Sequence, residues 1–217
     1  MRGRRRWGTL PVMDEVTVLP DEAMDGAPAV IAPSPAAWRA WLDEHAATTP
    51  AVWLVMDRSR TAGGASGVTG VGYEDAVCQA LCVGWIDSVV RPRDAQTAYQ
   101  RFSPRNPKST WVRSNRDRVA RLIAAGEMGP AGQALVDAAK ASGAWDLLAD
   151  IEEGIVPDDV QAALDAIPAA AENFAAFPPS ARKQILAWIV TAKKPETRQR
   201  RIATTVDKAT HNERAQG

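Results

Sequence analysis

The sequence has few residues of the types that usually carry catalytic or metal-binding chemistry. It contains two cysteines and two histidines among 217 residues, which argues against histidine-rich metal sites and a disulfide framework. Cys78 and Cys82 lie four residues apart on a predicted helix, a spacing too wide for an unstrained disulfide and without further ligands for zinc. We expect two small buried thiols, and we predict no catalytic residue, no cofactor and no metal.

Long apolar runs are also missing. No stretch approaches the ~18 apolar residues that a membrane-spanning helix needs. The opening MRGRRRWGTLPVMDEV is basic but has no apolar stretch, unlike a signal peptide. These features predict a cytoplasmic protein without membrane insertion. Residues 1–32 mix arginines, acids, prolines and glycines without periodicity, which predicts a flexible N-terminal tail.

The formal net charge is zero, yet charges of one sign are concentrated in blocks. Nine basic and two acidic residues lie between Arg91 and Arg121. Ten acidic residues and one basic residue follow between Glu127 and Glu172. Eight basic and two acidic residues then lie between Arg182 and Lys208. Two interpretations stay open: the blocks neutralise one another in the fold, or the basic blocks form a surface that attracts anions.

Hydrophobic periodicity predicts a single α+β domain over residues 33–208, mainly helical, with a frayed tail at 209–217. A buried strand is predicted at residues 51–56, an alternating strand at 85–91 and a third near 97–102, giving a small antiparallel sheet near residues 51–103. Ser34 and Pro35 begin a helix whose Trp38 and His45 share one face. We expect His45 to be a packed or capping side chain.

Further helices follow from start and stop residues. A helix from Tyr73 to Val83 is closed by Gly84. Asn115 is predicted to cap the next helix, and the C-terminal half is predicted to be helical. The remaining predicted helix starts are Pro130, Pro157, Pro168, Ser180 and Pro195.

A cluster of polar residues follows the predicted hairpin. Arg105, Lys108, Ser109 and Asn115 are hydrogen-bond donors on a proline-stiffened segment, and Trp111 adds a flat apolar surface. Together with Arg91 of the preceding strand they form a candidate site for a carboxylate, a phosphate or a peptide partner. A structural role is the alternative, in which the polar groups satisfy loop carbonyls and the tryptophan packs in the core.

A second hypothesis concerns a structural ion pair. Arg198 lies four residues before Ile202, so both side chains project toward the same side of a helix. A guanidinium drawn toward the core needs a carboxylate. Asp87, on the predicted strand 85–91, is the candidate partner.

Several segments resemble a known family. ALCVGWID at residues 80–87, PRNPKSTW at residues 104–111 and TAKKPETRQRRI at residues 191–202 look like the YdeI/OmdA (OmpD-associated, bacteriocin-protection) family. The resemblance extends from Pro33 to Lys208. It implies a link to protection from bacteriocins or cationic antimicrobial peptides and an association with an outer-membrane porin. It brings no catalytic residues and no cofactor.

Three functions remain open. The first is a non-enzymatic cytoplasmic binding protein linked to stress or to antimicrobial-peptide or bacteriocin resistance, whose partner is an unknown protein or a small anionic ligand. The second is a small-molecule enzyme or sensor that binds an anion between Arg105 and Asn115. The third is nucleic-acid binding by the basic blocks, which the zero net charge does not favour. Because no export signal is present, we do not expect the porin association for this chain.

Overall fold

The computed structural model describes residues 15–58 and 70–216, and it has the predicted α+β composition. Where the sequence predicted one domain, the structure divides the chain into two compact units. We call Met1–Asn106 with Arg121–Leu135 the sheet unit. We call Pro107–Ala120 with Val136–Gly217 the helical unit.

Within the part of the chain that the structure describes, the sheet has five strands in the order β1-β2-β3-β5-β4. The antiparallel neighbours β3, β5 and β4 lie where the sequence predicted the sheet, but β2 and β3 run parallel, so the sheet is mixed. The strands are β1 (Thr17–Met24), β2 (Ala27–Ile31), β3 (Val52–Asp57), β4 (Trp85–Pro92) and β5 (Thr97–Pro104).

The predicted flexible tail is wrong over residues 17–31, which form a hairpin of β1 and β2. Its two-residue turn is Asp25-Gly26, with φ of +53° and +72°, and it brings Met24 opposite Ala27. Asp-Gly is a favoured turn for such a hairpin because both residues tolerate positive φ. Pro20 is accommodated because β1 is an edge strand. Residues 1–14 of the predicted tail lie outside the described residues.

Of the nine helices among the described residues, four begin at a predicted proline, namely Pro35, Pro130, Pro168 and Pro195. The helices are α1 (Pro35–His45), α2 (Tyr73–Cys82), α3 (Arg113–Ala124), α4 (Pro130–Ser142), α5 (Ala149–Glu153), α6 (Asp158–Asp165), α7 (Pro168–Ala176), α8 (Pro179–Val190) and α9 (Pro195–Thr210). Gly84 follows α2 with φ of +80°, as predicted. Asn115 does not cap α3, which begins at Arg113, whose backbone N–H donates to the Glu152 carboxylate at 2.7 Å.

One face of the sheet is covered by α1. Ser34 caps this helix by accepting a hydrogen bond from the Ala37 N–H at 3.1 Å. The fully buried Trp38 stacks on Trp41 with 5.4 Å between ring centroids and meets Phe102 of β5 edge-on at the same distance. His45 stacks on Trp41 at 4.6 Å, which confirms its predicted packing role. Aromatic burial therefore fixes this helix to the sheet.

The helical unit has an aliphatic core. Ile185 and Ile189 of α8 are fully buried, and they pack with Leu164 of α6 and Val206 of α9. The predicted frayed tail is wrong at its start, because α9 continues to Thr210 and Ala209 is fully buried. The last helix, α9, therefore contributes buried residues to the core of the helical unit along its length to Ala209.

Candidate functional site

Arg105, the first residue of the predicted polar cluster, is a buried side chain of the sheet unit. It is 8% exposed, and its backbone N–H donates to the Gly84 carbonyl at 2.9 Å. Burial lowers the pKa of its guanidinium, and the negative charge of Asp87 acts in the opposite direction. Asp87 itself accepts a hydrogen bond from the Tyr73 hydroxyl at 2.7 Å. The two charged groups of the ALCVGWID and PRNPKSTW segments therefore interact with each other.

Trp111 takes the structural role that the sequence left open. It is 3% exposed in the helical unit, and its ring lies 5.0 Å from that of Trp145. Its backbone carbonyl accepts a hydrogen bond from Arg116 at 3.0 Å. A ring packed in this way holds the segment before α3 in place and offers little surface for stacking on a ligand.

The other candidate donors lie in different surroundings. Asn115 accepts a hydrogen bond from Arg118 at 2.8 Å, Lys108 is exposed and Ser109 is half-buried. Arg91, in the sheet unit, pairs with Asp25 at 2.9 Å and lies 4.8 Å from the Trp53 ring centre. Anion binding by these residues stays a prediction.

Arg198 forms its ion pair with Asp159 and not with the predicted Asp87. Its Nε and Nη2 atoms donate to the two carboxylate oxygens at 2.7 and 2.8 Å. The hydrogen bonds from Arg198 lower the pKa of Asp159. The sequence identified the need for a carboxylate, but Asp159 lies at the start of α6, which packs directly against α9.

Glu22 has the most strongly displaced carboxyl pKa that the described residues show. Arg93 donates to its two oxygens at 2.7 and 2.8 Å, and the Tyr99 hydroxyl donates to one of them. The hydrogen bonds from Arg93 and then from Tyr99 lower the pKa of Glu22 to about 2. A carboxylate held this firmly in its ionised form is a poor general base, so its role is to join β1 to β5.

A small cavity lies in the sheet unit. It has a volume of about 250 Å³, and its lining includes Arg58, Tyr73, Val90 and Gln100. Gln100 is 3% exposed, and Arg58 donates to the Asp94 carbonyl at 3.0 Å. With Asp57 also in the lining, the cavity combines an amide, phenols, a guanidinium and a carboxyl group with an apolar wall, a mixture suited to a small polar ligand.

A larger groove, of about 670 Å³, lies in the helical unit between α6 and α9. Its apolar lining consists of Ala163, Ile167, Ile202, Ala203 and Val206. Ile167, between α6 and α7, is 40% exposed. The sequence indicated Ile202 only as a residue facing the core. Ile202 and Val206 are indeed buried, so the accessible apolar part of the lining is mainly Ala163, Ile167 and Ala203.

The charged residues that line this groove are both acidic. They are Asp159 of α6, paired with Arg198, and Asp207 of α9, which is exposed. The adjoining α6 and α7 contain four acidic residues and no Lys or Arg. The other wall, α9, contains four basic and two acidic residues, so the charge around the groove is mixed.

Across residues 15–58 and 70–216, no group of three or more His, Cys, Asp or Glu side chains is placed to hold a metal ion. Among the same residues, no helix has the length and apolar character to cross a membrane.

Two family models match parts of the chain. Residues 30–135 match a domain of unknown function, DUF8412. Residues 153–212 match the family described as bacteriocin-protection, YdeI or OmpD-associated. This partial match supports the resemblance that the sequence indicated, and it covers α6 to α9 of the helical unit. Searches of curated proteins and of solved structures each found no match.

Proposed function

With residues 153–212 matching the bacteriocin-protection family, we propose that this protein acts in bacteriocin protection as a cytoplasmic, non-enzymatic binding protein. The observation that carries the proposal is the groove between α6 and α9, which lies within the matched residues. An accessible apolar surface of this kind is suited to holding a partner.

Protection can be tested directly in cells. A bacteriocin-sensitive strain that expresses the full chain should survive a higher bacteriocin dose than the same strain with an empty vector. A Trp38→Ala variant, which we expect to be destabilised, is the control for abundance and folding. Equal killing of the expressing strain and the empty-vector strain, with the folded protein detected in the first, would reject the proposal. Fractionation of the expressing cells tests the proposed location, since we expect the protein in the cytoplasmic fraction.

A second candidate function is small-ligand sensing in the sheet unit, supported by the 250 Å³ cavity with Arg58 and Gln100 in its lining. A thermal-shift screen of anionic metabolites tests it, because a ligand at 100 times its dissociation constant adds about 2.7 kcal/mol of stability. Gln100→Leu should abolish the shift and leave the unliganded protein folded. No shift across a broad panel would count against this function.

A further inference from the structure

The cavity of the sheet unit lies against one face of three strands. Met56 of β3 pairs with Ala98 of β5, and Gln100 of β5 pairs with Val90 of β4. Paired residues of antiparallel strands project their side chains from the same face, and so do residues two apart on one strand. These four lining residues therefore present their side chains together. Three of the side chains are apolar, and the fourth is an amide.

Gln100 is a buried amide whose hydrogen-bonding capacity is only partly used. Its residue is 3% exposed, and its Nε2 donates to the Val89 carbonyl at 3.5 Å, a long hydrogen bond. Among the described residues, this is the one hydrogen bond of the side chain. Val89 lies in the bulge of β4, where the ladder with β5 is interrupted. Because buried amides normally have their donors and acceptors satisfied, the second N–H and the Oε1 oxygen call for a partner within the cavity.

The charges beside the cavity are balanced. Asp57 and Arg58 are both in its lining and have opposite signs. Tyr73, also in the lining, donates to Asp87 at 2.7 Å, and Asp87 in turn interacts with the buried Arg105 guanidinium. A ligand with a net charge of either sign would meet an opposing charge as well as a partner, so a neutral ligand is favoured.

We propose that this cavity binds a neutral ligand with an amide edge, in which an N–H lies beside a carbonyl oxygen. The Oε1 of Gln100 accepts from the ligand N–H, and the second N–H of Gln100 donates to the ligand carbonyl. Met56, Val90 and Ala98 contact the apolar body of the ligand. The volume of about 250 Å³ is below the ~300–1,000 Å³ of sites for drug-sized molecules, so the ligand is smaller than these. This ligand class rests on the small-ligand function proposed above for the cavity.

Three bicyclic compounds of similar size test the ligand class. Carbostyril has the amide edge, coumarin has an oxygen atom in place of its N–H, and naphthoate has a carboxylate. Two-dimensional NMR titrations of the isotope-labelled full chain measure the dissociation constants and show which residues respond. Carbostyril should bind saturably and shift the side-chain amide signals of Gln100. Coumarin should bind at least about tenfold more weakly, because it leaves Oε1 without a donor, and naphthoate should also bind more weakly than carbostyril.

A pair of matched variants locates the binding. Gln100→Leu removes the amide and should weaken carbostyril binding at least about tenfold, whereas coumarin binding should change less than about twofold. Gln96→Leu makes the same change at an exposed residue outside the lining and should leave both affinities within about twofold. Circular dichroism of both variants checks that they fold. If Gln100→Leu does not fold, the comparison of carbostyril with coumarin on the unchanged protein decides by itself.

Other results would overturn the proposal. Equal affinities for carbostyril and coumarin, or carbostyril binding that folded Gln100→Leu retains, would show that the amide does not select the ligand. Tighter binding of naphthoate would show that the cavity is an anion site, and absence of saturable carbostyril binding would reject the ligand class outright.

The same measurements separate the ligand class from the small-ligand function. An anionic metabolite that stabilises the protein through Gln100, without preference for carbostyril over coumarin, would reject the ligand class and leave small-ligand sensing standing. Selective binding of carbostyril, with no stabilisation by any cellular metabolite, would do the reverse.

Discussion

The two units bury apolar surface in different ways. The sheet unit relies on large aromatic rings, with Trp38 and Phe102 against one face of the sheet and Trp53 and Tyr99 on the other. Arginine side chains lie over the second pair, Arg91 over Trp53 among them. The main core cluster of the helical unit is largely aliphatic, although it includes Phe174 and Phe177, and its last helix lines a groove. The sheet unit thus buries large aromatic rings on both faces of its sheet, whereas the helical unit buries mainly aliphatic side chains.

The largest expected effect tests the aromatic packing of the sheet unit. Trp38→Ala removes a fully buried ring that contacts Trp41 and Phe102 and donates to the Ala76 carbonyl at 3.1 Å. We expect a loss of about 3–5 kcal/mol in the free energy of unfolding, measured by denaturant titration. Trp38→Phe keeps a ring and should cost less. A loss below about 1 kcal/mol would show that aromatic burial does not dominate this unit.

We call Arg116 and the groups that it contacts the polar centre of the helical unit, and removal of the Arg116 side chain should have the next largest effect on stability. Arg116 donates to Glu152 at 2.7 Å and to the carbonyls of Trp111 and Trp145 at 3.0 and 3.3 Å. Its side chain is 14% exposed. Because Arg116→Ala leaves Glu152 and two carbonyls without this donor, we expect a loss of about 2–4 kcal/mol in the free energy of unfolding.

The control for Arg116 is an exposed pair of the sheet unit. Arg121 pairs with Glu74 at 2.6 Å, and its side chain is 65% exposed. Arg121→Ala should cost less than about 1 kcal/mol, since solvent screens exposed pairs. Equal losses in the two variants would contradict the view that the polar centre, and not charge pairing in general, stabilises the helical unit.

The third effect concerns the pH dependence of the sheet unit. The folded-state pKa of Glu22 is depressed from its ordinary value of 4.5 to about 2. The ionised carboxylate therefore contributes stability above pH 4.5, and that contribution is lost as the pH falls toward 2. We expect the contribution to be about 1–3 kcal/mol, reduced by partial exposure to solvent.

Acid denaturation of Glu22→Gln measures this contribution. The variant should be less stable than the unchanged protein at pH 7, and the difference should shrink between pH 4.5 and 2. Asp21→Asn changes an exposed neighbour on the same strand and is the control. A stability difference that stays constant with pH would contradict the assigned role of Glu22.

Much of the local structure follows from residues that act over short distances. Ser34-Pro35 and Gly84 mark helix ends because capping and positive φ are local requirements. The β1–β2 hairpin was missed because Pro20 and the charged residues of β1 obscure its alternation, although the Asp25-Gly26 turn was a usable signal. The partner of Arg198 could not be predicted, because it depends on which helix packs against α9.

The candidate site shows the same limit. The cluster from Arg105 to Asn115 is dense in donors, but the sequence cannot show that Arg105 is buried near Asp87 or that Trp111 packs on Trp145. The groove was missed for the opposite reason. Its residues, such as Ile202 and Ala203, are ordinary helix residues, and only the packing of α6 beside α9 makes them a surface.

The smallest expected effect tests the ion pair at one end of the groove. Arg198 and Asp159 have side chains that are 29% and 49% exposed, so their two-point contact should contribute about 0.5–1 kcal/mol in a double-mutant cycle of Arg198→Ala and Asp159→Asn. Asp158 is the matched control, an exposed acid one residue earlier on α6. A coupling energy with Asp158 as large as that with Asp159 would show that Arg198 responds to the acidic helix end as a whole. Coupling to Asp159 alone would show that this one ion pair holds α9 against α6 at that end of the groove.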